Sequence, residues 1–345
     1  MRILFATHQA VGLQQGGVRT QMMQTKSALE ELGVNVTMFE MWKEFDRTQF
    51  DLVHLFSANM ATYHLARAFW LRDVPLIVTP VFYTRRSNKV VRTVIALDRL
   101  ANRFVRGVWS DYGIIAEMCG WAKAVLPNTE DEVSLLQKGF GVLQEKIHLV
   151  PNGVEERFSK ATSELFERQY GIKDFILYVG HIGPFRKNVL HLLEALESID
   201  HPAVLIGPIE DSPSGRACLE RAKRNPRLLI LDGLPHDSML LASAYAACKV
   251  FVLPSMYETP GIAALEAALT GANIAITSEG GTREYFAELA DYLNPNSADD
   301  IKRCILSAFN KPKSSALAER IRSRYLWSEV GNKTKAIYES ILSSL

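Results

Sequence analysis

Long hydrophobic runs are missing from this chain. No stretch reaches the roughly 18 consecutive apolar residues that a membrane-spanning helix needs. The apolar run Ile3 to Ala6 is too short for the core of a signal peptide and is followed by polar residues. The expectation is therefore a cytoplasmic protein. Charge of one sign is missing as well. The formal net charge is +1, so no global field gathers nucleic acid or any other polyanion, and an anion site has to be local. Cysteine is scarce. Cys119, Cys218, Cys248 and Cys304 form no C-x-x-C pair and match no common metal box, which points to buried apolar thiols and not to disulfides or metal ligands. The chain also has no D-x-D sequence, no complete G-x-G-x-x-G and no P-loop pattern.

What the chain has is a rhythm. Its 345 residues, 48% hydrophobic and 22% charged, suffice for two globular domains. In the first half, apolar runs fall at Ile3–Ala6, Val34–Phe39, Leu52–Leu55, Leu76–Thr79, Ile114–Ala116, Val125–Leu126 and Ile147–Val150. In the second they fall at Phe175–Val179, Val204–Ile206, Leu228–Leu231, Val250–Leu253 and Ile274–Thr277. Helical patterns separate most of them. Short, continuously apolar runs suit parallel strands covered on both faces. The expected class is α/β, with two doubly wound, Rossmann-like domains facing a central cleft. Pro151-Asn152-Gly153 is turn punctuation ahead of a polar stretch. The first domain is placed over residues 1–160, the second over 161–325 and a terminal helix over 326–345.

Ligands of such sheets bind beyond the carboxyl ends of the strands, and three segments in that position carry suitable chemistry. Gln14-Gln15-Gly16-Gly17-Val18-Arg19 opens a helix that runs to Leu32, with Gly33 as its stop. Paired glycines let backbone N–H groups approach a phosphate or sugar oxygen, though an ordinary tight turn explains them equally well. Gly180-His181-Ile182-Gly183-Pro184-Phe185-Arg186-Lys187-Asn188 follows a strand. Its adjacent Arg186 and Lys187 can neutralise a diphosphate. A solvated surface pair is the alternative. The third segment, Pro254 to Ala267, is the most specific. Pro260 suits a first helical turn, Gly261 leaves room at the backbone, and the N–H groups near Gly261, Ile262 and Ala263 form an anion or hydroxyl site. Glu258 and Glu266 flank the helix start, with roughly 9 Å of helix rise to Glu266. One carboxylate can accept sugar hydroxyls and the other ribose hydroxyls.

The E-x7-E spacing of Glu258 and Glu266, within P-S-x-x-E-x-x-G-x-x-x-L-E-A, resembles the retaining GT-B glycosyltransferases of family four, the glycosyl transferases group 1. The likeness covers nearly the whole chain. Gly16-Gly17 is similar to the family's glycine-rich first loop. Asp51-Leu52-Val53-His54, Asn128 to Glu132 and Val150 to Val154 resemble its strand-end and mid-chain signatures. The tail around Trp327 and Tyr338 is similar to its terminal helix, which crosses back onto the N-terminal domain. The resemblance implies a retaining, metal-independent transferase with no cofactor and a nucleotide diphosphate sugar as co-substrate. It implies that Glu258 binds donor sugar hydroxyls near the reacting carbon, that Arg186 and Lys187 hold the diphosphate, and that Glu266 binds the ribose. Thr259, Pro260, Gly261, Ile262 and Ala263 join the donor site. Leu234 lies beside the base, and Gly16 and Gly17 close on the donor from the other domain. His181 departs from the family, which often has Arg after the glycine at that point, and is carried as donor-binding. A histidine just beyond Leu76–Thr79 is also missing. Pro80 to Arg86 supplies Tyr83, Arg85 and Arg86 as acceptor-side residues instead, and a 6-deoxyhexose donor would need no such histidine. The acceptor is a glycan, a lipid-linked sugar or a small molecule. The rival readings are a nucleotide-sugar epimerase or phosphorylase on the same scaffold, or a non-catalytic relative that binds a nucleotide sugar.

Residues 88–109 form a helical pattern in which Arg92, Arg99, Arg103 and Arg106 share one stripe. Val90, Val94, Leu97, Ala101, Phe104 and Val108 share the opposite one. Such a helix either buries its apolar side in the core or lies on an anionic membrane. The second choice would make the protein peripheral on the inner face of the membrane. The pattern alone leaves both open.

Overall fold

The structure is a computed structural model that describes residues 1–345 apart from Gln14, Gln15, Arg106, Val108 and Leu345. The first two belong to the glycine-rich segment and the next two to the basic helical pattern; these parts of both readings lie outside the described residues. The chain divides into two compact units, Met1–Gly153 with Trp327–Leu345, and Val154–Leu326.

In the first unit the strands are β1 (Arg2–Ala6), β2 (Asn35–Met38), β3 (Leu52–Phe56), β4 (Leu76–Thr79) and β5 (Ala124–Val125). They pair in parallel in the order β2-β1-β3-β4-β5. The helices are α1 (Gly17–Glu31), α2 (Met60–Trp70), α3 (Asn88–Ala101), α4 (Asp111–Trp121) and α5 (Glu130–Leu135). The apolar runs expected at β1, β3, β4 and β5 are buried because helices cover both faces of the sheet, while the edge strand β2 buries only part of its run. Gly33 stops α1: at φ +78° its N–H reaches the Glu30 carbonyl, and Val34 N–H reaches Leu29 at 3.0 Å, closing two orphan carbonyls.

The second unit holds β6 (Ile176–Val179), β7 (Ala203–Ile206), β8 (Leu228–Leu231), β9 (Val250–Leu253), β10 (Asn273–Thr277) and β11 (Asp291–Leu293). These are parallel in the order β11-β10-β9-β6-β7-β8. Its helices are α6 (Glu164–Tyr170), α7 (Val189–Leu196), α8 (Pro213–Ala222), α9 (Met239–Ala247), α10 (Ile262–Leu269), α11 (Thr282–Phe286), α12 (Ala298–Asn310) and α13 (Ser315–Arg324). The chain runs outward from β6 to β8, returns beside β6 as β9 and then runs outward the other way. The loops after β6 and β9 therefore leave neighbouring strands at the point where strand order reverses, where a doubly wound sheet opens a crevice. The last helix, α14 (Trp327–Ser343), belongs to the first unit and packs along α1.

Three sequence readings are corrected. Ile114–Ala116 lies inside α4, not in a strand: Ser110 caps the helix through Gly113 N–H, and buried Ile114, Ile115, Met118 and Cys119 make the helix apolar enough to imitate a strand. Ile147–Val150 adds only a bridge from Ile147 to Val125. The basic helix ends at Ala101 and does not run to residue 109. The strand β11 was not foreseen; Asp291-Tyr292-Leu293 is short and only its last residue is buried. Residues 154–160 belong to the second unit, because Val154 N–H bonds to Tyr325 and Phe158 is buried in that unit's core. The four cysteines are free and buried.

His54, at the end of the D-x-V-H segment, is fully enclosed. Its Nδ1 meets the Tyr338 hydroxyl of α14 at 2.6 Å and its Nε2 meets Thr79 Oγ1 at 2.8 Å. Burial pushes its pKa down to about 3. The folded ring thus stays neutral to about pH 3, while in the unfolded chain it takes up a proton near its ordinary 6.5. Unfolding binds that proton between the two values, so the stability His54 contributes is present above 6.5 and is lost as pH falls toward 3. Up to about 3 kcal/mol of it goes by about pH 4.5. Urea unfolding at neutral pH and near pH 4.5 should show a smaller acid loss in His54→Asn than in the wild type. Equal losses would place the acid sensitivity elsewhere.

Candidate functional site

The reversal point of the second sheet gathers the segment after β6 and the segment after β9. One backbone contact and one side chain lock them. Met256 N–H donates to the Arg186 carbonyl at 2.8 Å. Asn188 at φ +57° turns the chain into α7, and its Nδ2 donates to the carbonyls of Pro254 at 3.0 Å and Pro295 at 2.7 Å. Its Oδ1 is 2.6 Å from His191 Nδ1. The sequence marks Asn188 only as the end of the Gly180–Asn188 segment, yet it is buried and ties three loops together.

That lock brings Arg186, Lys187 and Glu258 into one cluster. Lys187 Nζ donates to Glu258 Oε1 at 2.6 Å, and Arg186 Nη1 approaches the same oxygen at 3.3 Å. Arg186 also lies 5.4 Å from the Tyr257 ring centroid and donates to the Tyr257 carbonyl. Glu258 is only 7% exposed. The chain around it runs like a further strand: its N–H bonds to the Glu279 carbonyl at 3.1 Å, and its carbonyl accepts from Gly281. Burial alone raises its carboxyl, but Lys187 and then Arg186 outweigh that and hold it below the usual carboxylate range. Burial draws Lys187 below the ordinary lysine value, opposed by Glu258. Two cations against one carboxylate leave the cluster one positive charge in excess, which suits an anionic group.

The segment Thr259 to Ala263 turns into α10. Pro260 lies ahead of the helix and is not its first residue, because α10 begins at Ile262 with Gly261 as its cap. Gly261 sits at φ +86°, and a Cβ there would come within 2.7 Å of Leu253 Cδ2. Its glycine is fixed by backbone conformation and by the strand beneath it, as well as by any ligand in front. The N–H groups of Ile262 and Ala263 belong to the first turn, which has no intrahelical acceptors for them.

Glu266 is separate from the Glu258 cluster. It is buried on α10, and both its oxygens are held: Tyr245 donates to Oε2 at 2.7 Å and His236 Nε2 lies 2.6 Å from Oε1. The other nitrogen of His236 faces Glu155, which in turn pairs with Arg157. Hydrogen bonding to Glu266 raises the pKa of His236 against the opposing effect of burial. The sequence reading did not single out His236 or Tyr245. His236 stands two residues after Leu234, which is half-buried against the core. Position in the loop after β8 was the one signal available. His181 receives a hydrogen bond from Tyr178 at its carbonyl.

The remaining sequence-selected residues lie in the first unit. Gly16 caps α1 and Gly17 opens it. Tyr83 is half-buried and Arg85 and Arg86 are exposed in the segment between β4 and α3. There Phe82 N–H donates to buried Glu132 at 3.0 Å, which anchors that segment to α5. Among the described residues no group of three His, Cys, Asp or Glu side chains is placed to hold a metal ion, and no helix is long and apolar enough to cross a membrane.

Two family models match the chain: Glycosyltransferase Family 4 over residues 36–158 and Glycosyl transferases group 1 over residues 163–324. A D-inositol 3-phosphate glycosyltransferase of Geodermatophilus obscurus is 30% identical over 236 residues, 64% of this chain and 50% of that protein. A UDP-Gal:alpha-D-GlcNAc-diphosphoundecaprenol alpha-1,3-galactosyltransferase of Escherichia coli is 27% identical over 259 residues, 71% of this chain and 62% of that protein. The chain thus spans about half the length of the first of these relatives and less than two thirds of the second. Sucrose-phosphate synthase of Thermosynechococcus elongatus has the same fold, with a TM-score of 0.77 at 17% identity over 99% of each chain. Anabaena HepE in complex with UDP and glucose matches with a TM-score of 0.69 at 17% identity over 100% of each chain. With its two parallel, doubly wound sheets, its Glu258–Glu266 spacing and these likenesses, the chain belongs to the GT-B glycosyltransferases of family four, the glycosyl transferases group 1.

Proposed function

We propose that this chain is a retaining glycosyltransferase. It moves a hexose or deoxyhexose from a nucleotide diphosphate sugar to a glycan, a lipid-linked sugar or a small molecule. The observation that carries the reading is the meeting of Lys187 and Arg186 on the buried carboxylate of Glu258, at the carboxyl ends of β6 and β9 and beside the start of α10. Support for a nucleoside diphosphate comes from the Anabaena neighbour in complex with UDP and glucose. Support for a lipid-linked acceptor comes from the name of the Escherichia coli relative.

In this reading the diphosphate binds Lys187, Arg186 and the N–H groups of Ile262 and Ala263. The sugar hydroxyls face Glu258, and the ribose hydroxyls face Glu266. As the bond from the anomeric carbon to the diphosphate oxygen breaks, negative charge builds on that oxygen and positive charge on the sugar ring. The cations and helix N–H groups stabilise the first of these, and the Glu258 carboxylate stabilises the second. The acceptor oxygen bonds to the anomeric carbon from the face the leaving group vacates, its proton passing to the departing diphosphate, so configuration is retained. Tyr245 and His236 hold Glu266 in place, so ribose recognition needs no side-chain reordering.

The test is a screen of nucleotide sugars against acceptors, with the anomeric configuration of the product read by NMR. Transfer with retention is expected, and Glu258→Gln should lower kcat by about 100-fold or more. Lys187→Ala should do the same and also lower stability by roughly 1–3 kcal/mol, because it removes the nearer partner of a buried carboxylate. Glu266→Ala should raise KM for the donor more than it lowers kcat. Isomerisation of the donor without acceptor would make the protein an epimerase. Nucleotide binding without turnover would make it a non-catalytic relative. Near-normal turnover in Glu258→Gln would remove the proposed site.

A further inference from the structure

The face of α3 that looks away from the first unit's core carries two kinds of side chain. Val91 and Ile95 turn inward and are buried. Much of the stripe expected to be either core or membrane surface is outside: Val90 is exposed, Leu97 is 59% exposed, and Phe104, just past the helix end, is 82% exposed, while Val94 and Ala101 are half-buried. Leu100, not part of that stripe, is exposed too. Exposed Val105 and Trp109 extend the apolar surface. The helix buries its neighbouring positions instead, so the domain core accounts for Val91 and Ile95 and leaves the larger apolar side chains unexplained.

The same helix carries Lys89, Arg92 and Arg99, with Arg103 just past its end, all exposed. The acid within α3, Asp98, does not offset them, because its carboxylate turns to the Ser110 N–H and hydroxyl at the start of α4. Arg92 and Arg99 also line an open groove of about 700 Å³, whose other walls include Ile95, Gln137, Lys138 and Phe140. A cationic groove and projecting apolar side chains carried by one helix match one kind of surface, in which negative phosphate groups lie directly above hydrocarbon.

We propose that this face is a docking surface for an anionic lipid bilayer. Leu97, Leu100 and Phe104 enter the boundary between headgroups and acyl chains, while Arg92, Arg99 and Lys138 bind lipid phosphates in the groove. This assignment is independent of the donor site, and its test reads binding, not transfer, so either can fail alone.

The full chain would be sedimented with phosphatidylcholine vesicles, with and without phosphatidylglycerol. The expected result is cosedimentation with the phosphatidylglycerol vesicles only, weakened by added salt. Paired charge reversal, Arg92→Glu with Arg99→Glu, should lower the vesicle partition by about tenfold or more. Leu97→Ser with Phe104→Ser should lower it by a similar factor. All four side chains are exposed, so the melting temperature should hold in both variants and report that they fold. Wild-type protein that stays in the supernatant, or binds neutral vesicles equally well, would overturn the proposal. So would wild-type binding by both variants. Self-association of the wild type without vesicle binding, abolished by Leu97→Ser with Phe104→Ser, would assign the face to a second copy of the chain.

Discussion

The pairing of β6 with β9 constrains everything useful in the second unit. These strands are far apart in sequence and adjacent in the sheet, and the chain departs from them in opposite directions. Their carboxyl ends therefore cannot both be covered by the same crossover, and the loops that follow are left to meet each other. Asn188 holds them together by bonding to Pro254 and Pro295. Without that pairing, Lys187 and Glu258 would be two remote charges. With it, they form a contact of 2.6 Å in a place from which water is mostly excluded.

The electrostatics of that contact explain why the cluster can serve an anion without being ruined by its own burial. A buried carboxylate is costly unless it is paired and hydrogen-bonded. Glu258 has two cations and so remains ionised, while the cations remain in excess by one charge. The second carboxylate is handled differently. Glu266 has no lysine or arginine at its oxygens but a phenol and an imidazole, groups that orient it without neutralising it outright. One carboxylate is embedded among charges and the other in a hydrogen-bonded frame, which fits two different tasks on one elongated ligand.

Much of this was legible in the sequence because it rests on local pattern. The runs at β1, β4, β6 and β9 are apolar from end to end, and burial on both sides leaves that signature. Arg186, Lys187 and Glu258 stand out because each follows a strand, and Glu266 because of its spacing from Glu258. What was illegible depends on contacts across the chain. The run Ile114–Ala116 looks like a strand because a buried helical turn is also continuously apolar over its few residues. The inward turn of Val91 and Ile95, and not of Leu97 and Phe104, is set by what α3 meets and cannot be read from its own periodicity. Asn188, His236 and Tyr245 owe their importance to partners 66, 30 and 21 residues away in sequence, and nothing in their own surroundings announces it. His54 belongs to the same class, since its partner Tyr338 comes from the far end of the chain.

The central claim is that the Lys187–Glu258 cluster is a nucleoside diphosphate site. The most direct measurement is a calorimetric titration of a panel of nucleoside diphosphates into the wild type and into Lys187→Met, whose side chain keeps much of the length and apolar contact but not the charge. The account predicts that one diphosphate binds the wild type, that its monophosphate binds much less well, and that Lys187→Met, folded by its melting curve, loses most of the difference between the two. Equal affinity for the diphosphate in wild type and variant would contradict it, as would a diphosphate that binds no better than its monophosphate.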